Sequence, residues 1–141
     1  MRNRDGFALI QLVTIVGLVA IFGTVAVPEI SAYQQYRTDQ SLRQALTEVR
    51  GAIKQYYSAN HALPGDEGTE TDFKADLAPY LSHFPRSPLE GNPTDVLVVP
   101  ESLSDFAIGG DAAWVYSSST GHFMANSEEL SGYGAVTYDQ F

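Results

Sequence analysis

The sequence predicts an α+β protein in which a long N-terminal helix, membrane-spanning in its first half, packs against a small antiparallel sheet. Residues 7–27 contain no charged side chain, and an amphipathic helical pattern continues from them to about Asn60. After Asp95, short segments rich in β-branched and aromatic residues alternate with Gly, Pro, Ser and Asp, as strands and turns do. With 141 residues, the chain has room for one modest domain beside the apolar segment.

The first element is the uncharged segment. The 21 residues from Phe7 to Val27 would form a helix about 30 Å long, which matches the hydrocarbon core of a bilayer. A helix buried in a soluble core normally keeps a polar face, whereas the polar side chains here are only Gln11, Thr14 and Thr24. We therefore predict a transmembrane helix over 7–28, with a soluble core helix as the alternative.

The charges on either side of this segment predict its orientation. Arg2 and Arg4 precede it, whereas the chain after Val27 holds six Lys and Arg against sixteen Asp and Glu. Because flanking Lys and Arg stay in the cytoplasm, we expect a single-pass inner-membrane protein with its body in the periplasm or at the cell surface. A cleaved secretory signal is the rival interpretation, although this apolar run is longer than a typical signal core.

The helical pattern continues over residues 29–60 with an apolar stripe. Its members recur mainly at spacings of three and four residues: Tyr33, Tyr36, Leu42, Leu46, Val49, Ile53 and Tyr56 or Tyr57. Pro28 lacks a backbone donor, so we expect a bend there rather than an end. The breaker-rich stretch 60–66 ends the pattern, and a globular α+β body follows over 61–141.

The N-terminus resembles a known processing site. Residues 1–6, Met-Arg-Asn-Arg-Asp-Gly, followed by Phe-Ala-Leu-Ile-Gln-Leu-Val, are similar to the leader and cleavage site of type IV prepilins and type II secretion pseudopilins. The resemblance implies that a prepilin peptidase cuts after Gly6 and methylates the new amine of Phe7. Pro28 stands where many members of that family carry a helix-kinking proline. A pilin-like fold and assembly into a filament by a membrane platform and its ATPase are then expected.

Gln11 departs from the family pattern. The family usually places a glutamate at this position, where it is held to pair with the terminal ammonium of a neighbouring subunit inside the apolar filament core. A carboxylate there would offset the cost of a buried charge, whereas Gln11 offers only a neutral carbonyl oxygen. The resemblance therefore favours a minor or tip subunit, and the alternative is that Gln11 simply hydrogen-bonds between helices.

Within the body, the sequence predicts a short helix over 72–81. Asp72 is a suitable cap, and Pro79 marks the last turn or a break. The apolar residues on one side of this helix are Phe73, Leu77, Tyr80 and Leu81. Strands are predicted after it, at residues 96–99, 106–108, 113–116 and 122–124.

The last two predicted strands flank Ser117–Gly121, a length and composition suited to a hairpin. Trp114 and Tyr116 on the first of them are expected in the core. The tail from Gly132 to Phe141 is expected to form an edge strand or a mobile terminus. A disulfide often holds this region in major pilins, and the chain has no cysteine.

The composition argues against several chemistries. The acidic body disfavours nucleic-acid binding, because affinity for phosphates comes largely from Lys and Arg. No metal-ligand spacing joins His61, His83 and His122, and no Gly-x-Ser-x-Gly turn presents a nucleophile. The acidic stretch 66–72 is expected to be a solvated loop without a cofactor, and calcium binding is the weaker alternative.

These observations favour a structural subunit of a type II secretion pseudopilus or type IV pilus-like filament rather than an enzyme. Its expected partners are prepilin peptidase, copies of itself or related subunits, the assembly platform with its ATPase, and the inner membrane. The alternative is a permanently anchored periplasmic binding or sensory module that never polymerises, which Gln11 favours.

Overall fold

A computed structural model describes residues 5–89, 92–132, 134 and 136–141, with side chains from residue 31 onward except those of Asn92 and Asp105. The chain has α+β architecture, as predicted. Its elements are the helices α1 (Asp5–Asn60) and α2 (Glu70–Leu77), the strands β1 (Asn92–Val99), β2 (Ala112–Ser117) and β3 (Phe123–Ala125), and two short 3-10 helices, Leu103–Asp105 and Tyr138–Gln140.

The chain divides into two compact units after Gln35, and the second unit, Tyr36–Phe141, contains the sheet and the core. Helix α1 ends at Asn60, where the breakers predicted its end. His61 closes it in the left-handed region, with φ 55°, and its N–H donates to the carbonyl of Tyr57 at 2.8 Å.

The predicted membrane span lies outside the residues whose side chains are described. Within the described part of the chain, no helix is both long and apolar enough to cross a membrane. Helix α1 continues through Pro28, whose side chain lies outside the described residues, so the predicted bend there stays a prediction.

The sheet is mixed, so the prediction of an antiparallel sheet is wrong for one of its two pairings. Its strand order is β1-β2-β3. Strand β1 pairs in parallel with β2, with Val96 opposite Trp114 and Val98 opposite Tyr116. Parallel neighbours need a crossover of about a dozen residues, and the connection 100–111 supplies it. The predicted strand at 106–108 belongs to this connection and forms no strand.

The predicted hairpin is confirmed. Strands β2 and β3 pair antiparallel, with Trp114 opposite Ala125 and Tyr116 opposite Phe123. The N–H of Gly121 donates to the carbonyl of Ser117 at 2.9 Å. Gly121 has φ 75°, and a Cβ there would lie 2.7 Å from Cδ2 of Leu63. Both the left-handed backbone conformation and the lack of room for a side chain therefore favour glycine at this position.

Helix α2 begins two residues before the predicted start, and Asp72 is not its cap. The cap is Thr69, whose hydroxyl accepts from the N–H of Asp72 at 3.2 Å. The carboxylate of Asp72 accepts instead from the N–H of Glu67 at 3.0 Å and closes the loop before the helix. The helix ends at Leu77, four residues before the predicted end at 81, and Pro79 follows it as a break rather than lying in its last turn.

The core lies between one face of α1, helix α2 and the sheet. The ring of Phe73 stacks on Tyr116 with centroids 4.1 Å apart, and Trp114 stacks on Phe123 at 5.3 Å. Trp114 and Tyr116 are fully buried, which confirms their predicted place in the core. The face of α1 that packs on these rings consists of Leu42, Ala45, Leu46, Val49, Ala52 and Ile53.

Candidate functional site

The predicted processing and assembly residues are Gly6, Phe7, Gln11 and Pro28. All four fall within the bounds of α1, and their side chains lie outside the described residues. Their predicted roles in cleavage, N-methylation and helix packing therefore stay predictions. The described residues instead reveal three features of the body: a polar attachment of the tail, an exposed helix face and an acidic loop.

The tail is attached to α1 by polar side chains on the helix. We call this set of contacts the tail clamp; its members are Asp39, Arg43 and Arg50 on α1 and Gly132, Tyr138 and Phe141 in the tail. The tail is thus neither a full edge strand nor an unattached terminus. Only one isolated bridge, between Leu130 and Thr137, resembles strand pairing within the described tail.

Asp39 is the buried centre of the clamp. Its side chain is 0 % exposed, and its two carboxylate oxygens accept from the hydroxyl of Tyr138 and the N–H of Gly132, both at 2.9 Å. A buried carboxylate needs such donors because its desolvation is expensive. Burial and the hydrogen bond to Asp39 together raise the pKa of Tyr138 to about 12.

Arg50 makes the second attachment. Its Nε donates to the carbonyl of Phe123 in β3 at 3.0 Å, and its Nη1 donates to the carbonyl of Phe141 at 2.8 Å. One guanidinium thus joins α1, the sheet and the tail, and its partial burial lowers its pKa. The guanidinium of Arg43 lies 4.2 Å from the ring centroid of Phe141, a cation–π contact.

Sequence reasoning missed the clamp, although one signal was present. Asp39 stands three residues before Leu42 and seven before Leu46, so it shares the apolar stripe of α1. A carboxylate on a stripe that packs into a core requires buried donors. The pattern could have identified Asp39 as a buried anchor, but it could not have identified donors 93 and 99 residues away.

The face of α1 opposite the core is exposed and polar. We call it the basic strip and define it by Arg37, Gln40, Arg43, Gln44 and Thr47, all of which are exposed. Its surface forms a shallow depression bordered also by Tyr36 and Glu48. The strip lies in the first turns of the second unit.

The acidic stretch forms a loop near the other end of the same helix. This acidic loop comprises residues 65–69, because residues 70–72 of the predicted loop form the first turn of α2. Asp66 and Glu67 in the loop are exposed. Two hydrogen bonds fix its shape: the N–H of Gly65 donates to the carboxylate of Asp76, and the N–H of Glu67 donates to the carboxylate of Asp72. Tyr56 of α1 lies beside it, and burial, a hydrogen bond to Asp76 and the nearby carboxylates raise the pKa of Tyr56.

The histidines and the acidic loop show no assembled metal centre. His61, His83 and His122 are each exposed. Among the described residues, no group of three His, Cys, Asp or Glu side chains is placed to hold a metal ion.

A groove of about 370 Å³ lies beside Arg50, Lys54, His122 and Asp139. Its candidate bases are His122, Asp139 and Lys54, and the described lining contains no hydroxyl or thiol nucleophile. No family model, curated protein or solved structure matches the chain. Function is therefore inferred from the residues and from the geometry of the body.

Proposed function

We propose that the protein is a structural subunit of a type II secretion pseudopilus or type IV pilus-like filament, without enzymatic activity. The observation that carries the proposal is the short basic leader ending at Gly6, followed by the uncharged stretch Phe7–Val27 and then Pro28. Cleavage after Gly6 leaves the apolar helix as an anchor, and packing of these helices holds the filament together.

The body supports a mechanical role. The outer part of α1 packs its apolar face against the core, while the tail clamp fixes the end of the chain to the same helix. Because the chain has no cysteine, these non-covalent contacts replace the disulfide that often holds this region in major pilins. A body held in this way transmits force along the helix that anchors it.

The proposed partners follow from this role. Prepilin peptidase processes the chain, and a membrane platform with its ATPase extracts it from the inner membrane and stacks it with other subunits. The body then faces the periplasm or the cell surface. Its excess of Asp and Glu disfavours direct contact with nucleic acid.

Gln11 bears on which subunit this is. A glutamate at this position would offset the charge of a neighbour's terminal ammonium, and Gln11 provides no charge. We propose a minor or tip position, where no subunit ahead requires that pairing. Gln11→Glu is then expected to leave processing unchanged and to allow the chain to be incorporated along the filament, measured by labelling density on sheared filaments.

The first test is the mass and N-terminal sequence of the protein from its native membrane. We expect a chain starting at Phe7 with one added methyl group, and loss of this cleavage in Gly6→Ala. Gly17→Ala, which changes a glycine inside the apolar stretch, is the matched control and should be processed normally. An intact chain starting at Met1 would exclude the filament function.

An intact chain starting at Met1 would favour the second candidate, a permanently anchored periplasmic binding or sensory module. Gln11 is the observation that favours it, because a subunit that never polymerises needs no carboxylate at this position. A cut after Val27 would contradict both candidates and identify the apolar stretch as a secretory signal.

A further inference from the structure

The groove of about 370 Å³ beside Arg50 continues past the turn of the β2–β3 hairpin. A second depression, of about 590 Å³, lies between the last turns of α1 and Gly121. Ile53, Lys54 and Gly121 border both depressions, which therefore form one continuous groove. We call it the hairpin groove and define it by six of its lining residues: Ile53, Lys54, Tyr57, Ser58, Leu63 and His122.

The hairpin groove is basic, although the body around it is acidic. The chain after Asn60 carries thirteen Asp and Glu against two Lys and Arg. Lys54 and His122 are exposed, and no carboxylate among the described residues pairs with the ammonium of Lys54. Arg50, one helical turn before Lys54, donates to two neutral carbonyls, which leave its positive charge uncompensated.

Asp139 is the acidic side chain of the described lining. It borders the smaller depression, and Nε2 of Gln140 donates to its Oδ2 at 2.6 Å. In the larger depression, the charged side chain of the described lining is Lys54. The groove as a whole therefore favours an anionic occupant.

Apolar surface lies beside these charges. Tyr57 is 52 % exposed, and Leu63 is partly exposed. The stretch of α1 along the groove, from Arg50 to Ser58, rises by about 12 Å, which is the length of about four residues of extended chain. An extended chain turns successive side chains to opposite sides, so alternating acidic and apolar residues would match a groove with basic and apolar lining.

We propose that the hairpin groove binds an extended peptide segment of another protein, in which acidic residues alternate with apolar ones. Lys54 supplies the charge and His122 a ring N–H donor, while Tyr57 and Leu63 receive the apolar side chains. An acidic occupant also relieves the repulsion between Arg50 and Lys54, which are like charges four residues apart on one helix. The choice of another protein over a second copy rests on the proposed minor or tip position, where no subunit lies ahead.

The test uses the purified full chain in mild detergent and a fluorescein-labelled hexapeptide in which aspartate alternates with leucine. Fluorescence anisotropy at low salt measures binding. A matched peptide with asparagine in place of each aspartate should bind about tenfold more weakly, because it carries no charge for Lys54. Equal binding of the two peptides would overturn the acidic occupant.

A charge reversal locates the site. Lys54→Glu should weaken binding of the aspartate peptide about tenfold, because repulsion replaces attraction. Arg86→Glu makes the same change of net charge at an exposed residue outside the groove lining, and it should alter the affinity by less than about twofold. Equal weakening by the two variants would show an effect of net charge and overturn the site.

A steric block tests the apolar part of the groove. Ser58→Trp fills the larger depression and should abolish binding, whereas Ala59→Trp, at the next position of α1, should bind like the parent. Both positions are exposed, so the folded body has room for either side chain. Peptide binding by Ser58→Trp at the parental affinity would overturn the proposal.

Other occupants give different results. Self-association of the chain that Ser58→Trp abolishes, measured by sedimentation without peptide, would identify a second copy as the occupant and refute another protein. Displacement of the peptide by an equal concentration of free aspartate would reveal a simple anion site and overturn the peptide groove.

The proposed function fails in a different experiment. A chain that keeps Met1 in its native membrane refutes the filament function, and peptide binding by that chain would still support the groove. A chain that is processed at Gly6 but binds no peptide refutes the groove and leaves the filament function standing.

Discussion

Two helix carboxylates join distant parts of the body, and they differ in burial. Asp39 on α1 is fully buried and holds the tail through Tyr138 and Gly132. Glu70 on α2 is about a third exposed; its Oε1 accepts from Nζ of Lys74 and from the N–H of Val96 in β1 at 3.2 Å. Similar hydrogen bonds therefore contribute differently to stability, because water can replace a lost bond at an exposed group but not at a buried one.

The largest effect is expected at Asp39. Asp39→Ala leaves the buried Tyr138 hydroxyl without its acceptor and also removes the acceptor of the Gly132 N–H, which should lower the free energy of unfolding by about 3 kcal/mol. Urea denaturation of the full chain in mild detergent, followed by the fluorescence of the buried Trp114, measures it. Trp114 is suitable because it is the chain's one tryptophan. Asp39→Asn keeps an acceptor oxygen and should cost less; an Ala variant as stable as the parent would refute the clamp.

The second-largest loss of stability is expected at Arg50. Arg50→Ala removes the donors to the carbonyls of Phe123 and Phe141, so we expect a loss of about 2 kcal/mol and earlier proteolysis of the tail. Arg50→Lys keeps the charge but not the two-pronged donor and should recover less than half of the loss. Limited proteolysis with mass analysis locates the first cut, and a first cut elsewhere than residues 126–141 would contradict the attachment.

Tyr138→Phe should have a smaller effect at neutral pH. It removes one hydroxyl and leaves Gly132 bound to Asp39, so about 1 kcal/mol is expected. Tyr36→Phe, on the exposed face of α1, is the matched control and should change stability little.

The raised pKa of Tyr138 predicts that the stability of the protein depends on pH in the alkaline range. Its pKa is raised from 10.0 in the unfolded chain to about 12 in the folded one. Its stabilising contribution is therefore complete below pH 10 and is lost as the pH rises through 12. The stability difference between the parent and Tyr138→Phe should shrink over that interval. A difference that stays constant from pH 8 to 12 would show that the hydroxyl does not titrate as a folded group.

The smallest effect is expected at Glu70. Glu70→Ala removes a partly solvated ion pair and one acceptor, so we expect a loss of about 0.5 kcal/mol that decreases further in 1 M salt. Glu70→Gln keeps an acceptor for Val96 and isolates the contribution of the charge. A loss equal to that of Asp39→Ala would show that burial does not distinguish the two carboxylates.

Much of the body was predictable from local patterns. The hairpin was indicated by strand-like residues on either side of 117–121, and the end of α1 by the breakers after Asn60. The predicted start of α2 was two residues too late because Thr69 and Asp72 are both good caps, and sequence alone does not rank them. The direction of β1 was not predictable, since a parallel strand and an antiparallel one share the same residue preferences.

By itself, the sequence determined the features that depend on neighbouring residues: the apolar stretch 7–27, the amphipathic continuation to Asn60, the hairpin and the acidic charge of the body. Tertiary structure alone decided the parallel pairing of β1 with β2 and the tail clamp. The clamp joins Asp39 to donors 93 and 99 residues away. Local preference extends over a few turns of backbone, whereas a buried carboxylate is satisfied only by the donors that folding brings to it.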